Sequence, residues 1–324
     1  DIMNWDNWVV ERSYFKKFAM GWEVKKVLHS EQSKFQKIEV LDTHAVGKLL
    51  LLDGKTMVSD LDEFVYHEVM AHIPYMVTRK CENVLIIGGG DGLGLKQVLK
   101  WQPKAVTLMD LDQDLLSLFK HPPADMPTDL SNALLALNGD ALNDPRLTLM
   151  VDDAFNGVDK LLSNGQLFDA IIVDLPDPSH PDLNKLYSDL FYRKLNELLN
   201  ADGVITVQST SPYHAPNAFI SVGKTLSAAG FNVKQYHHNV PSFGEWGWSI
   251  GSKMGKNPQQ RLAALTDIPV PEDWLTPGLI HASFEFPKHF YDDIDKIKVN
   301  EIGSLQLYHY HLAAWSENEV INLF

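Results

Sequence analysis

The sequence predicts an α/β protein, a mostly parallel sheet with a small β-rich domain in front of it. Three observations carry that prediction. Short apolar runs alternate with helical patterns from Asn83 onward, and the first four of those runs each lead into acidic residues. The chain before residue 75 reads instead as strands joined by tight turns. The organisation that follows is an N-terminal β-strand domain with its linking helix over residues 1–75, then a larger α/β domain with a C-terminal extension over residues 76–324.

Taken in order, residues 34–41 alternate apolar and polar side chains, as a half-buried strand does. Residues 46–52 form a second apolar run, closed by the turn Asp53-Gly54 before a third short strand at 56–58. Ser59 and Asp62 have the spacing of a capping box, so a helix is predicted from there to about Met76. That helix is unusually polar for its apolar content: it carries Asp62, Glu63, Tyr66, His67, Glu68 and His72. Residues 84–87 are a buried parallel strand that runs into Gly88-Gly89-Gly90-Asp91-Gly92 and a helix reaching Lys100. Strands follow at 105–109, 147–151, 168–173 and 204–207, with edge strands at 231–238 and 246–251. Right-handed crossovers between such strands give a mostly parallel sheet. The segment 121–146 reads as an irregular insertion around a short helix at 131–137, and 255–324 reads as helical.

The chain of 324 residues is 45% hydrophobic and 22% charged, enough for a sizeable core. Its single cysteine, Cys81, excludes a disulfide framework within the chain and fits a reducing compartment, so a cytoplasmic location is expected. No run approaches the roughly 20 apolar residues that span a bilayer, and no signal peptide is visible. The start at Asp1 rather than Met, followed by Trp5, Trp8, Tyr14, Phe15, Phe18 and Trp22, fits a trimmed or partial chain. Acidic residues outnumber basic ones 42 to 28, for a formal charge of −14. Such a field repels nucleic acid and attracts cations.

The acids gather where an open α/β sheet binds its ligands, beyond the carboxyl ends of the strands. Those ends carry Asp91, then Asp110 and Asp112, then Asp152 and Asp153, then Asp174 and Asp177, and finally Gln208. One such acid alone reads as a helix cap. Four strands in a row ending this way point to a cationic ligand. In the turn, Gly88, Gly90 and Gly92 let backbone approach a ligand closely beside the positive end of a helix. Asp91 in that turn is a poor neighbour for pyrophosphate and a good one for a cationic tail, which favours an adenosyl-sulfonium ligand over a dinucleotide. Asp110 and Asp112, about 20 residues on, stand where an acid would accept hydrogen bonds from both ribose hydroxyls. Asp174-Leu175-Pro176-Asp177-Pro178 is either a rigid Asp-Pro turn or a pair of carboxylates converging on one amine. A desolvated carboxylate there can hold an amine and take its proton.

These segments, together with Leu52-Asp53-Gly54 and Asp62-Glu63-Phe64-Val65-Tyr66-His67-Glu68, resemble the spermidine synthase family in order and spacing from about Gln36 to about Gly251. The resemblance implies a Rossmann-like, methyltransferase-type domain that binds decarboxylated S-adenosylmethionine as co-substrate and uses no metal. It implies transfer of the aminopropyl group to a di- or polyamine, putrescine to spermidine, with release of methylthioadenosine. By the same resemblance Gln36 contacts the nucleoside, Asp110 the ribose hydroxyls, Asp153 and Ala154 the adenine edge, and Pro181 packs on the base. Asp91 holds the amine of the aminopropyl group. Tyr66 and His67 line the amine channel, with Tyr66 in the catalytic centre, Asp174 as general base and Asp177 as second amine anchor; Gln208, Phe243 and Glu245 belong to the acceptor pocket. A homodimer is the expected assembly. Ser-Phe-Gly-Glu-Trp-Gly at 242–247 resembles bacterial members in which this domain follows an integral-membrane region, which would put it at the cytoplasmic face.

Three positions depart from the family pattern. Met57 stands in place of a usual glutamine, His180 in place of a glycine before the proline, and Phe243 in place of a common tyrosine; they leave the acceptor amine open. Two other readings remain. One is a catalytically silent polyamine-binding or sensing domain. The other is a methyltransferase using intact S-adenosylmethionine, whose carboxylate Asp91 would repel. His237, His238, His309 and His311 show no metal-ligand pattern and read as surface or packing residues. Trp246 and Trp248 alternate as on a strand and read as core or pocket wall.

Overall fold

The computed structural model describes residues 6–13, 18–242, 244–253 and 255–316. Trp5, Tyr14, Phe15 and Phe243, singled out above, lie outside the described residues. Five strands pair in sequential order into an antiparallel N-terminal sheet: β1 (Trp8–Ser13), β2 (Phe18–Gln32), β3 (Lys37–Thr43), β4 (Lys48–Leu52) and β5 (Lys55–Ser59). The period of two sorts its side chains. Ile38, Val40 and Leu50 join the main core, while Leu41, Leu49 and Leu51 cluster with Val46 on the opposite face. Asp53 and Gly54 make the β4–β5 turn, both at positive φ (50° and 76°). The strand predicted at 34–41 begins only at Lys37, because Ser33 to Gln36 form a tight turn in which Ser33 Oγ accepts from the Phe35 and Gln36 amides. Strand β2 leaves no mark in the apolar pattern, and the reason is visible: two bulges against β3 break its alternation.

Helix α1 (Glu63–Thr78) follows, but the predicted capping box does not form. Ser59 Oγ donates to Asp62 Oδ1 at 2.7 Å, and Asp62 makes no side-chain cap bond. Its buried carboxylate is claimed instead by Ser242, whose amide and hydroxyl lie 2.6 and 2.8 Å away. On another face of α1, fully buried Glu68 accepts the amides of Asp273, Trp274 and Leu275 at 3.1–3.3 Å. Beside it burial, then Glu68 itself, pushes the Glu272 carboxyl up to about 10.

The second sheet has seven strands in the order β11-β12-β10-β9-β6-β7-β8: β6 (Asn83–Gly88), β7 (Ala105–Asp110), β8 (Leu147–Val151), β9 (Phe168–Asp174), β10 (Leu199–Gln208), β11 (Asn232–Val240) and β12 (Gly244–Ser252). The first five are parallel and the last two antiparallel. Central strands are apolar throughout because both faces are covered. Val84 and Ile86 of β6 and Ala170 and Ile172 of β9 enter one core, while Leu85, Ile87, Ile171 and Val173 enter the other. Helices α2 (Leu93–Leu99), α3 (Gln113–Lys120), α4 (Thr128–Leu137), α5 (Ala154–Ser163), α6 (Asp189–Glu197) and α7 (Pro216–Ala228) connect the strands. The helix of the insertion, α4, starts three residues before the predicted one.

Among the described residues the C-terminal extension carries only short helices: α8 (Pro258–Arg261), α9 (Pro277–Ala282) and α10 (Gln306–Ser316). The start of α10 is pinned to the 3-10 turn at Pro181–Tyr187, since the Tyr308 amide donates to Asn184 Oδ1 at 2.9 Å. Asn300 just before it spans the same turn, donating to the carbonyls of Asn184 and Tyr187. Among the described residues no helix is long and apolar enough to cross a membrane.

Candidate active site

The chain leaves β6 toward β7 and β8 on one side of the sheet and returns to build β9 and β10 on the other. The crevice at this switch point, beyond the ends of β6 and β9, is where an open α/β sheet takes its ligand. Gly88 and Asp174 are register partners there. A Cβ on Gly88 would lie 2.2 Å from the Asp174 carbonyl oxygen, and its φ is +84°, so only glycine lets the two strand ends meet. Gly90 is held the same way by β7: its amide donates to Asp110 Oδ2 at 3.0 Å, and a Cβ would stand 2.8 Å from that oxygen. The other Asp110 oxygen accepts the Asp112 amide at 2.9 Å. Burial, helped by the nearby Asp112 and Asp91, nevertheless raises the Asp110 carboxyl to about 6.

The strand-end acids divide into two sets. Asp112 caps α3 through the amides of Asp114 and Leu115, and its second oxygen accepts Ser33 Oγ (3.0 Å) and Gln36 Nε2 (2.9 Å). Gln36 thus reaches the site's rim through Asp112. Asp153 caps α5 at the Phe155 amide (2.9 Å), with Ala154 buried next to it and Pro181 exposed at the start of the 3-10 turn. Asp152 pairs with Lys160. These three behave as capping or surface acids. Asp110, Asp174 and Asp177 do not, and Asp91 gives only one oxygen to the first amide of the next helix.

The Tyr66 hydroxyl, from α1, donates to Asp174 Oδ1 at 2.7 Å. A methyl built on Gly89 would sit 3.8 Å from Asp174 Oδ2, so this carboxylate overhangs the glycine turn. Gly92 closes that turn as the N-cap of α2, and Asp91 Oδ1 accepts the Leu93 amide at 3.0 Å. Burial raises the carboxyls of both Asp91 and Asp174 above their ordinary range, opposed chiefly by His67. Burial also drives the Tyr66 hydroxyl up, as do Asp174 and Asp177, so it stays neutral and donates. His67 Nδ1 lies 2.7 Å from the Glu63 carbonyl oxygen and 3.2 Å from Glu63 Oε2, and Lys96 Nζ lies 2.6 Å from Glu63 Oε1. Burial disfavours a charged imidazole here, but Glu63, Asp91 and Asp174 outweigh it and raise His67.

The second carboxylate of the Asp174-to-Pro178 turn is placed by β10. Asp177 Oδ1 accepts Gln208 Nε2 at 3.2 Å, and Oδ2 accepts Thr210 Oγ1 at 3.3 Å. Trp246 Nε1 holds Gln208 Oε1 from β12 at 3.1 Å, and Trp248 is fully buried against Tyr66 and Tyr236, as their alternation predicted. Burial would raise Asp177, yet His311 and Gln208, with Lys55 from the N-terminal sheet, keep it below the ordinary range.

A surface or packing role is expected for His311 from the sequence; instead it is buried at the site, with Nε2 3.5 Å from Asp177 Oδ2. Nothing in the sequence around it could have shown this, because α10 is brought to the site by long-range packing on α7 and docking on the 3-10 turn. Glu245 is drawn to His237 on β11. Met57 is an exposed β5 side chain, and His180 accepts the Asp182 amide at the head of the 3-10 turn. Sequence reasoning also missed Lys96 and the Asp62–Ser242 tie; the Glu63–His67 spacing of four on one helix was the only signal for the former. Among the described residues no group of three His, Cys, Asp or Glu is placed to hold a metal ion.

Residues 63–262 match the family profile described as the spermine/spermidine synthase domain, and residues 7–60 match the spermidine synthase tetramerisation domain. A polyamine aminopropyltransferase of Shewanella oneidensis is 60% identical over 304 residues, covering 92% of this chain and 53% of the relative. The polyamine aminopropyltransferase of Bacillus subtilis is 34% identical over 249 residues, covering 76% of this chain and 84% of its own. The chain spans about half the length of the first curated relatives it matches (53% and 54%). A spermidine synthase crystallised with the transition-state analogue AdoDATO superposes with a TM-score of 0.78 at 24% identity, covering 90% of this chain and 96% of that one. The spermidine synthase of Thermotoga maritima gives 0.75 at 24% identity, with 90% and 95% covered. These two likenesses speak for the fold: a small antiparallel β domain before a Rossmann-like, mostly parallel sheet.

Proposed function

The chain belongs to the spermine/spermidine synthase family, and from that premise we propose that it is a polyamine aminopropyltransferase acting on decarboxylated S-adenosylmethionine and a diamine, putrescine first. The observation that carries the reading is the row of half-buried carboxyls at the switch point, Asp91 and Asp174, both raised by desolvation, and Asp177, held low by its partners, with Asp174 gripped by Tyr66 at 2.7 Å. Carboxyls raised by burial gain most from an arriving cation, which restores their charged form. A substrate pair carrying ammonium groups and a sulfonium fits such a row; an anionic ligand does not.

In this reading Asp110 receives the ribose hydroxyls and Asp91 the primary ammonium of the aminopropyl group. The adenine lies toward Asp153, Ala154 and Pro181, and Gln36 faces the nucleoside from the N-terminal sheet. The acceptor enters past Tyr66 and His67, its distal ammonium at Asp177 and Gln208. Asp174 takes one proton from the attacking ammonium and so exposes the nitrogen lone pair. That pair forms the new C–N bond at the carbon next to sulfur; the C–S bond breaks, its electrons remain on sulfur, and neutral methylthioadenosine leaves. Alignment of two charged substrates supplies most of the acceleration. Incubation with decarboxylated S-adenosylmethionine and a panel of amines should release methylthioadenosine, read by chromatography. Silence with every amine would defeat the proposal. Asp91 also separates it from methyl transfer: tighter binding of intact S-adenosylmethionine than of the decarboxylated form would favour a methyltransferase.

We propose further that the chain assembles as a homodimer or a multiple of one through the N-terminal sheet. The match of residues 7–60 to a tetramerisation domain supports this, as does apolar exposure along β2 at Phe18, Met20 and Val27.

A further inference from the structure

His67 is buried on α1, so its neighbours rather than solvent set the state of its ring. Its own helix settles one nitrogen. Nδ1 lies 2.7 Å from the Glu63 carbonyl oxygen, which can only accept, so this nitrogen carries a proton. Glu63 Oε2 stands 3.2 Å from the same nitrogen, one helical turn before it. The other oxygen of that buried carboxylate is taken by Lys96 Nζ of α2, at 2.6 Å.

This pair is braced from a third direction. Lys96 Nζ also donates to the Leu137 carbonyl at 2.8 Å, at the end of α4. The next residue, Asn138, donates through Nδ2 to the Asp91 carbonyl at 2.8 Å. The insertion that carries α4 therefore steadies Glu63 and the glycine turn together.

The charged groups around the ring come from several elements. Glu63 is on α1 with Lys96 beside it on α2, Asp91 is in the glycine turn, and Asp174 ends β9, where Tyr66 and Asp177 also act on it. Three carboxylates favour the second proton of the imidazole. Its charge is in turn the chief opponent of the burial that raises Asp91 and Asp174. A base must be ionised to take a proton, and burial works against that.

We propose that Glu63 is a positioning residue of the reaction: gripped by Lys96, it holds His67 as a cation, and that charge keeps Asp174 ionised to receive the ammonium's proton. This rests on the amine-transfer reading above. The proton passes from the attacking ammonium to Asp174, and His67 keeps its own. Without the Glu63 charge, His67 loses its second proton at lower pH. Asp174 then stays protonated to higher pH, and turnover is lost on the acid side.

The test titrates the full chain by NMR, with ring-labelled histidine and carboxyl-labelled aspartate, His67 and Asp174 being assigned from H67Q and D174N. In the parent, His67 should titrate above about 6.5. E63Q, of equal size and uncharged, should lower it by about one unit or more and raise Asp174. H67Q should raise Asp174 by about one unit, and E63Q/H67Q should match H67Q. With decarboxylated S-adenosylmethionine and putrescine, the acid limb of kcat in E63Q should move up with Asp174, each unit costing up to about tenfold on that side. His67 titrating alike in parent and E63Q overturns the proposal, and so does an Asp174 unmoved in H67Q. A further change in the double variant marks packing and overturns it too. Should E63Q fail to fold, a parent His67 at or below about 6.5 does the same. A parent that releases no methylthioadenosine with any amine defeats the transfer reading alone, and the two titrations still decide Glu63.

Discussion

One hydroxyl fixes how Asp174 is presented. Tyr66 holds Oδ1 at 2.7 Å, so the other oxygen is the one turned over the glycine turn. Tyr66→Phe should lower kcat about tenfold by releasing that carboxylate, with the donor's KM nearly unchanged. Asp174→Asn should cost about 10²-fold or more in kcat, since an amide takes no proton. Equal losses in turnover and nucleoside binding would make Asp174 structural. Asp110 gives a second handle. Burial raises its carboxyl to about 6, and in the proposed reading the ionised form is the one that accepts the ribose hydroxyls. Protonation as pH falls removes that form, so methylthioadenosine should bind about tenfold more weakly at about pH 5 than at about pH 7. Calorimetry across that range checks it; a flat profile would place the ribose elsewhere. At this scale the sequence showed which acids lie at strand ends but not which are caps. Asp112 and Asp153 serve helix amides, because the side chain of a residue before a helix finds those amides first.

Helix α1 is the element on which the site depends, and each of its faces has a different task. Tyr66 and His67 look into the site, while Asp62 below and Glu68 behind tie it to distant chain. Asp62→Ala would strip Ser59 and Ser242 of their acceptor inside the protein, and should cost about 2 kcal/mol in urea unfolding. The loop carrying position 243 is next to Ser242, so weaker acceptor binding should accompany that loss. Glu272 behaves in the opposite sense to an ordinary salt-bridged acid. Its folded value of about 10 lies above the unfolded one of 4.5, so the folded chain holds a proton that the unfolded chain releases between those limits. Stability is therefore lost as pH rises through that window. Glu272→Gln, neutral throughout, should match the parent near about pH 4.5 and exceed its Tm by roughly 2–5 °C near about pH 8. Scanning calorimetry at both pH values decides; an equal gain at both would remove the titration argument. The helix itself was legible from its apolar spacing, yet its start was misread. Ser59 and Asp62 have the right identities for a cap, and only the remote Ser242 redirects the carboxylate.

For the whole molecule, the parallel sheet was readable because strands buried on both faces leave uninterrupted apolar runs, and Gly88 to Asp91 marked where the crossover begins. The β1–β2 hairpin was not, since bulges and exposure erase its pattern, and neither was the inward course of the C-terminal extension, which is set by long-range bonds such as that from the Tyr308 amide to Asn184. Assembly through the N-terminal sheet predicts that light scattering on the chain returns a dimer or a multiple of it. Val27→Glu on β2, where the side chain is 59% exposed, should shift the distribution toward the protomer. The contact between Gly88 and the Asp174 carbonyl has a further bearing on how such a protein can change. The floor of the crevice is main chain laid against main chain, with no side chain there to vary, so a saturation library at position 88 should return glycine alone. In the proposed reading, the choice of amine must then be set from the other side of Asp177, where Lys55 of the small sheet and His311 of the last helix act on that carboxylate.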